Sequence, residues 1–293
     1  MSVSLIVGIF EQGFIFALMA LGVYITYRIL DFPDLSVDGT FPLGAAITAA
    51  LITRGMDPWL TLLVATLAGA AAGVVTGLIH VKIGVKDLLS GIITMTGLYS
   101  VNLMIAGSPN LPIFNYDNIF TSGLGGLLEG IVPGFGTVLL ALLLAVACKY
   151  LMDWYLGTKS GLLLRAVGDN KLFVTYLGRD EGFVKIVGLA IANALAALSG
   201  AVLCQQQRVF DISSGTGTIV MGLAMVIIGT NLFRRSRLRP TAMVLIGAIL
   251  YRAVIAIVLF LGINPNFMKL VMALLLLLIL AYTHRKKGGA RRA

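Results

Sequence analysis

The chain has 293 residues, 58% of them hydrophobic and only 12% charged, about half the charged share of a soluble domain. With a mean hydropathy of +0.97, most of its surface must face something other than water, which excludes an ordinary soluble fold. The net charge of +9 does not indicate a nucleic-acid surface. Its basic residues gather in Lys159 to Lys185, Arg234 to Arg239 and the tail from His284 to Arg292, the one-sided bias of cytoplasmic loops in a membrane protein.

Apolar stretches of about 20 residues, each able to cross a hydrocarbon core of about 30 Å, recur along the whole length. They predict an all-α polytopic membrane protein with nine spans, at about 4–28, 36–53, 58–80, 88–107, 134–155, 184–206, 216–233, 240–262 and 267–283. The N-terminus lacks a basic leader region and reads as a first helix, not a cleaved signal. With the C-terminus in the cytoplasm, only Arg54, Arg208 and Lys269 fall near the outer face, and the loop 108–133 carries Asp117 and Glu129 but no Lys or Arg. Nine spans then place the N-terminus outside. Cys148 and Cys204 lie in apolar segments and read as small packing residues.

The first span contains Glu11 and Gln12 and runs into an interrupted stretch, Asp31-Phe-Pro-Asp-Leu-Ser-Val-Asp-Gly39. A similar interruption, Asp211-Ile-Ser-Ser-Gly-Thr-Gly217, follows the sixth span. Both pair an Asp with a Ser two residues on, then pass a Gly-Thr pair (Gly39-Thr40, Gly217-Thr218) and a further glycine (Gly44, Gly222). Five spans separate them, so the two stand in opposite membrane orientation. This is an inverted repeat with two broken helices, its halves at about 4–107 and 184–283. Broken helices in corresponding halves point to a transport pathway, since irregular backbone at membrane depth survives only inside protein or against water. The expected pathway residues are Asp34, Ser36, Asp38 and Thr40 from the first half, and Gln207, Asp211, Ser213, Ser214 and Thr216 from the second. Asp38 is expected to cap the helix that restarts after its own break, or to meet a cationic group of the solute. The stretch Gln205-Gln-Gln-Arg-Val-Phe-Asp211 fits either solute recognition or simple helix termination.

Elsewhere polar residues are sparse. Asn102 and Asn193 read as interhelical hydrogen-bond glue, and Arg252, near the middle of the eighth span, as an ion-paired or carbonyl-clamped group or as a direct solute contact. Gly69, Gly73 and Gly77 have the small-residue spacing of close helix packing.

The cytoplasmic segment 157–183 is too apolar for a plain loop. Asn170 can start a short helix carrying Leu172, Phe173, Tyr176 and Leu177 on one stripe, flanked by Arg165, Lys171 and Arg179. Such a stripe fits a docked partner. Within it, the run Leu164-Arg-Ala-Val-Gly-Asp-Asn170, continuing to Leu177-Gly178, resembles the coupling segment of ABC importer permeases of the branched-chain amino acid group. The stretch Ala20 to Phe32 resembles that family's first helix entering its broken second one. The break itself departs from the Asn-Phe-Ala-His-Gly-like pattern usual there. It resembles a divergent branch that includes permeases for aromatic amino acids, so the solute stays open.

The resemblance implies one transmembrane permease domain in a bacterial inner membrane, acting as a homodimer or as a pseudo-dimer with a second permease. It implies Arg165, Gly168, Asn170, Leu172, Phe173, Tyr176, Leu177 and Gly178 as the ATPase-coupling residues. Cytoplasmic ATPase subunits would bind the ATP, and an extracellular or periplasmic solute-binding protein, a lipoprotein in this branch, would deliver an amino acid. The chain would bind no cofactor, metal or nucleic acid. It has no Gly-x-x-x-x-Gly-Lys-Ser/Thr phosphate loop of its own, nor the motifs of an intramembrane enzyme. An ion-coupled secondary transporter is the alternative, but it has no use for a docking stripe.

Overall fold

The computed structural model describes residues 3–170, 180–262 and Val174, Tyr176, Gly178, Phe267, Leu270, Val271, Ala273, Leu274, Leu277 and Leu278. Helix α1 (Val3–Val23) continues as a π-helix, Tyr24–Ile29. It is buried without interruption from Gly13 to Thr26, as an all-apolar helix must be when other helices surround it. The short helix α2 (Val37–Ile52) follows the first break. Asp57 caps α3 (Pro58–Val81) by accepting from the Trp59 and Leu60 amides, with Pro58 at the first helical position. Helix α4 (Asp87–Ala106) leads to the outer loop, which holds strand β1 (Asn110–Pro112) and a short helix α5 (Leu124–Ile131).

Helix α6 (Gly136–Gly157) is followed by α7 (Lys159–Asp169), whose N-cap is Thr158. The long α8 (Glu181–Gln207), capped by Asp180, ends at Arg208 in a left-handed conformation. Strand β2 (Val209–Asp211) and a 3₁₀ turn (Ile212–Gly215) lead into the short α9 (Thr218–Leu232), and α10 (Pro240–Phe260) follows.

Six of these helices are long and apolar enough to span a membrane. Helices α2 and α9, with 16 and 15 residues, reach only about 24 and 22 Å at 1.5 Å per residue. They are the two broken helices expected from the sequence. Eight of the nine expected spans thus coincide with α1–α4, α6 and α8–α10. The ninth, 267–283, lies mostly outside the described residues. Helices α5 and α7 and the small sheet were not expected.

Helix α3 lies directly on α8. A Cβ at Gly73 would run into the Leu189 carbonyl oxygen, and one at Gly69 would meet the side chain of Ala197 and the Asn193 carbonyl oxygen. The glycine spacing seen in the sequence therefore sets the interhelix distance. At one end of the slab β1 pairs antiparallel with β2, Leu111 opposite Phe210. Phe210, fully buried, packs there with Ile113, Cys204 and the far end of α2, from Ala45 to Ile52. Cys148 and Cys204 are free and buried.

Candidate functional site

The site begins where α1 loosens. Its π-helical end is closed by Leu30 N–H donating to the Ile25 carbonyl and Phe32 N–H to that of Thr26, at 2.9 and 2.8 Å. Wide turns of this kind are frequent at functional positions. Asp31 then reverses the chain with φ of +51°, a conformation Asp tolerates better than most residues. The chain comes back inward at Asp34, which is fully buried.

A buried carboxylate must have its lone pairs filled. Asp34 Oδ1 accepts from the Ser36 amide at 2.9 Å and from its hydroxyl at 2.6 Å, and Oδ2 accepts from Asn193 Nδ2 at 2.8 Å. Asn193 Oδ1 in turn accepts from Thr40 Oγ1 at 2.8 Å. All four residues are inaccessible to solvent. The network ties the first break to the middle of α8, in the other half of the chain.

Asp38 makes the second cross-half connection. Its Oδ2 accepts from the Gly217 amide at 3.0 Å, and its Oδ1 from Thr218 Oγ1 and the Ile219 amide, both at 2.8 Å. Asp38 therefore does not cap its own helix α2. It occupies the N-cap site of α9, whose own N-cap residue Gly217 has no side chain and a φ of +84°. This corrects the expected cap on α2: the helix that Asp38 caps is α9. Pro42 lacks the amide that would have bonded the Asp38 carbonyl, and Gly215 packs against that freed oxygen.

The N-termini of the two short helices consequently meet at Asp38. From this junction α2 runs toward the β1–β2 sheet. Helix α9 runs the other way, past Val23 at Gly222 and Met243 at Gly229. Gly39 packs on Met95 and Leu98, halfway along α4, so the junction sits at mid-depth. Asn102 donates to the Gly39 carbonyl at 3.0 Å and steadies the first turn of α2. Each helix N-terminus carries a positive partial charge of about half an elementary unit. One carboxylate lies between two such ends.

The second break repeats the first in miniature. Asp211 Oδ1 accepts from the Ser213 amide and hydroxyl, both at 2.8 Å, as Asp34 does from Ser36. This turn lies at the sheet end and is partly exposed. It does not join the Asp34 network. Ser214 Oγ is buried with no hydrogen-bond partner among the described residues, whereas Gln207 and Thr216 are exposed. Gln205 has a structural position: it accepts from the Ile119 amide at 2.9 Å and donates to the Pro58 carbonyl at 3.1 Å, holding the outer loop on the helices.

On the opposite end of the slab lies α7. Leu164 and Val167 are fully buried, Leu164 packing with Leu30 over Gly188 of α8, and Gly168 rests directly on the Ile29 carbonyl oxygen. No side chain fits between α7 and the end of α1. Arg165 on the outer face is exposed, and Asn170 closes α7 as its C-cap. Tyr176 is 87% exposed and Gly178 has a φ of +68°. Leu172, Phe173 and Leu177, and with them most of the expected stripe, lie outside the described residues.

Asn193 was the main omission from the sequence-derived site. A lone amide in an otherwise apolar helix, at the level of a break elsewhere, was the available signal.

Against this geometry the comparisons are decisive. The family model for the permease component of branched-chain amino acid transport systems matches residues 5–280. The chain belongs to this permease family. A tyrosine transport system permease protein of Clostridioides difficile is 39% identical over 277 residues, 94% of this chain and 90% of that protein. An uncharacterized protein of Rickettsia prowazekii is 32% identical over 97% of this chain and 99% of its own length. A ribose import permease protein of Escherichia coli is 25% identical over 95% of this chain and 85% of that protein. No solved structure matches. This permease is thus the polytopic membrane component of a bacterial ABC importer for a small solute, a transport component and not an enzyme, and the ion-coupled alternative is set aside.

Proposed function

We propose that this permease imports an amino acid, with tyrosine the first to test, given the name carried by its C. difficile relative. The solute passes the junction of α2 and α9. ATPase subunits dock on α7 and the segment after it, at the end rich in Lys and Arg, which faces the cytoplasm. The β1–β2 end faces outward and receives the solute from a binding protein. Two copies of the chain form the pathway, the ATP being bound by the partner subunits alone. The N-terminus lies outside, with 4–107 and 184–283 as the inverted halves of a single domain.

The observation that carries this reading is the seat of Gly168 on Ile29. Any displacement of α7 acts on the end of α1, and the next residues in the chain are Leu30 and the break that holds Asp34. Force from an ATPase therefore has a short, rigid route to the junction. Replacing Gly168 with Val pushes α7 off α1 without touching the junction. The expected result is a membrane-inserted complex that retains ATPase subunits and hydrolyses ATP but takes up labelled tyrosine at less than about a tenth of the wild-type rate, since a misplacement of about 1 Å can cost a hundredfold. Normal uptake by Gly168→Val would refute the coupling route.

A further inference from the structure

Arg252 lies on α10 twelve residues beyond its start at Pro240, about 18 Å along the helix axis and so near mid-depth. The sequence allows an ion pair, a carbonyl clamp or a direct solute contact. Every Asp and Glu of the chain is among the described residues, and the ion pairs they form with described residues involve Lys149, Lys185 and Arg239, not Arg252. Glu11, on the neighbouring α1, is engaged by the Gln206 amide. Arg252 Nε is buried with no hydrogen-bond partner among the described residues. The guanidinium lies 3.8 Å over the ring of Phe16, which stacks on Phe41 of α2. One face of the guanidinium is thus fixed, and its Nε–H has no partner among the described residues.

Arg252 also lines a cavity of about 220 Å³ between α1 and α10, together with Gln12, Leu5, Ile9, Ile255 and Leu259. A guanidinium at membrane depth is costly unless it finds a partner, and its fork of donors matches a carboxylate in bidentate fashion. An apolar wall with two polar groups is the usual make-up of a small-molecule site. We propose that this pocket binds the carboxylate of the transported solute. Arg252 clamps it, Gln12 adds an amide donor, and the apolar wall receives the side chain. This rests on the amino-acid reading above and deepens it, for a neutral sugar offers Arg252 hydroxyl acceptors but no charge to match its own. Lipid phosphate offers similar chemistry, but headgroups lie at the faces of the slab, about 15 Å from the centre of the core.

The test is uptake by cells expressing the full transporter, with labelled L-tyrosine and labelled L-tyrosinamide, whose carboxylate is replaced by a neutral amide. Wild type should prefer tyrosine by about tenfold or more, the scale of one charge-assisted pair. Arg252→Gln should abolish that preference by raising the KM for tyrosine while leaving tyrosinamide uptake in place; Arg252→Lys should retain part of it. A purely structural arginine would lower both solutes alike, which would overturn the assignment, as would an unchanged tyrosine KM in Arg252→Gln. Should Arg252→Gln fail to reach the membrane, Gln12→Leu and Arg252→Lys decide: a raised KM for tyrosine alone supports the pocket, and unchanged values in both overturn it. If the effect of Arg252→Gln instead appears only in membranes containing phosphatidylglycerol and is the same for both solutes, the bound anion is lipid and the proposal fails. Wild-type uptake of D-ribose but of no amino acid would remove the amino-acid reading as well. Wild-type tyrosine uptake with an unaltered Arg252→Gln would remove this inference alone.

Discussion

Replacing Asp38 with Ala is expected to cut uptake by about tenfold or more and to lower thermal stability, with Asn in its place causing a clearly smaller loss. The carboxylate receives three hydrogen bonds, from Gly217, Thr218 and Ile219. Alanine leaves two amides at the start of α9 unpaired at mid-depth, where water does not readily replace the cap. Hydrogen bonds to a charged group contribute about 1.5–3 kcal/mol each, and loss of an N-cap costs about 0.5–2 kcal/mol. Asparagine can still accept at Oδ1 from Thr218 and Ile219. Its amide nitrogen, however, would face the Gly217 N–H, donor against donor. Uptake and melting temperature of the two variants in one membrane preparation check this. Equal damage from Asn and Ala would mean that the charge between the two helix ends matters more than the cap.

The second large effect is expected at Asn193. Changing it to Leu leaves Asp34 Oδ2 and the Thr40 hydroxyl without their partner in a region closed to solvent. Removing one member of a buried charged network costs about 3–5 kcal/mol, a large part of the stability of most domains. Asn193→Asp should be at least as harmful, because it places a second carboxylate 2.8 Å from Asp34. Combining Asn193→Asp with Asp34→Asn restores one amide and one carboxylate and should recover much of the protein level in membranes. Strict additivity in that double-mutant cycle would show that the two side chains are not coupled.

Much of this architecture was legible in the sequence, and the exceptions have a common cause. Apolar length alone marked the spans, and the Asp-x-Ser stretches at 34–36 and 211–213 marked both breaks, because each forms its turn from local hydrogen bonds. From sequence Asp38 reads as a cap of its own helix or as a solute contact, whereas its carboxylate caps α9. Its partners lie about 180 positions away in sequence, and no local pattern encodes a cap supplied across the fold. Asn193 was read as glue for the same reason: its type indicated a hydrogen bond but not which break it would hold. Helix α7 escaped because its buried residues, Leu164 and Val167, are spaced for a helix within a segment read as a loop. Gly168 looked like part of a motif. Its physical role, to let α7 touch α1 at Ile29, needs the packed structure.

If the start of α9 lines the solute route, its accessibility changes during transport. Thr216, exposed and two residues before α9, is the position to probe, since Cys148 and Cys204 are buried and can be replaced to remove background. A single cysteine at Thr216, in the complex with its ATPase subunits, should react with an impermeant thiol reagent from the outer face in the absence of ATP. During ATP hydrolysis the reaction should slow by about tenfold, and saturating solute should slow it further. A Thr216→Cys thiol that reacts at the same rate in every state, or only from the cytoplasmic face, would contradict the pathway drawn through the junction of α2 and α9.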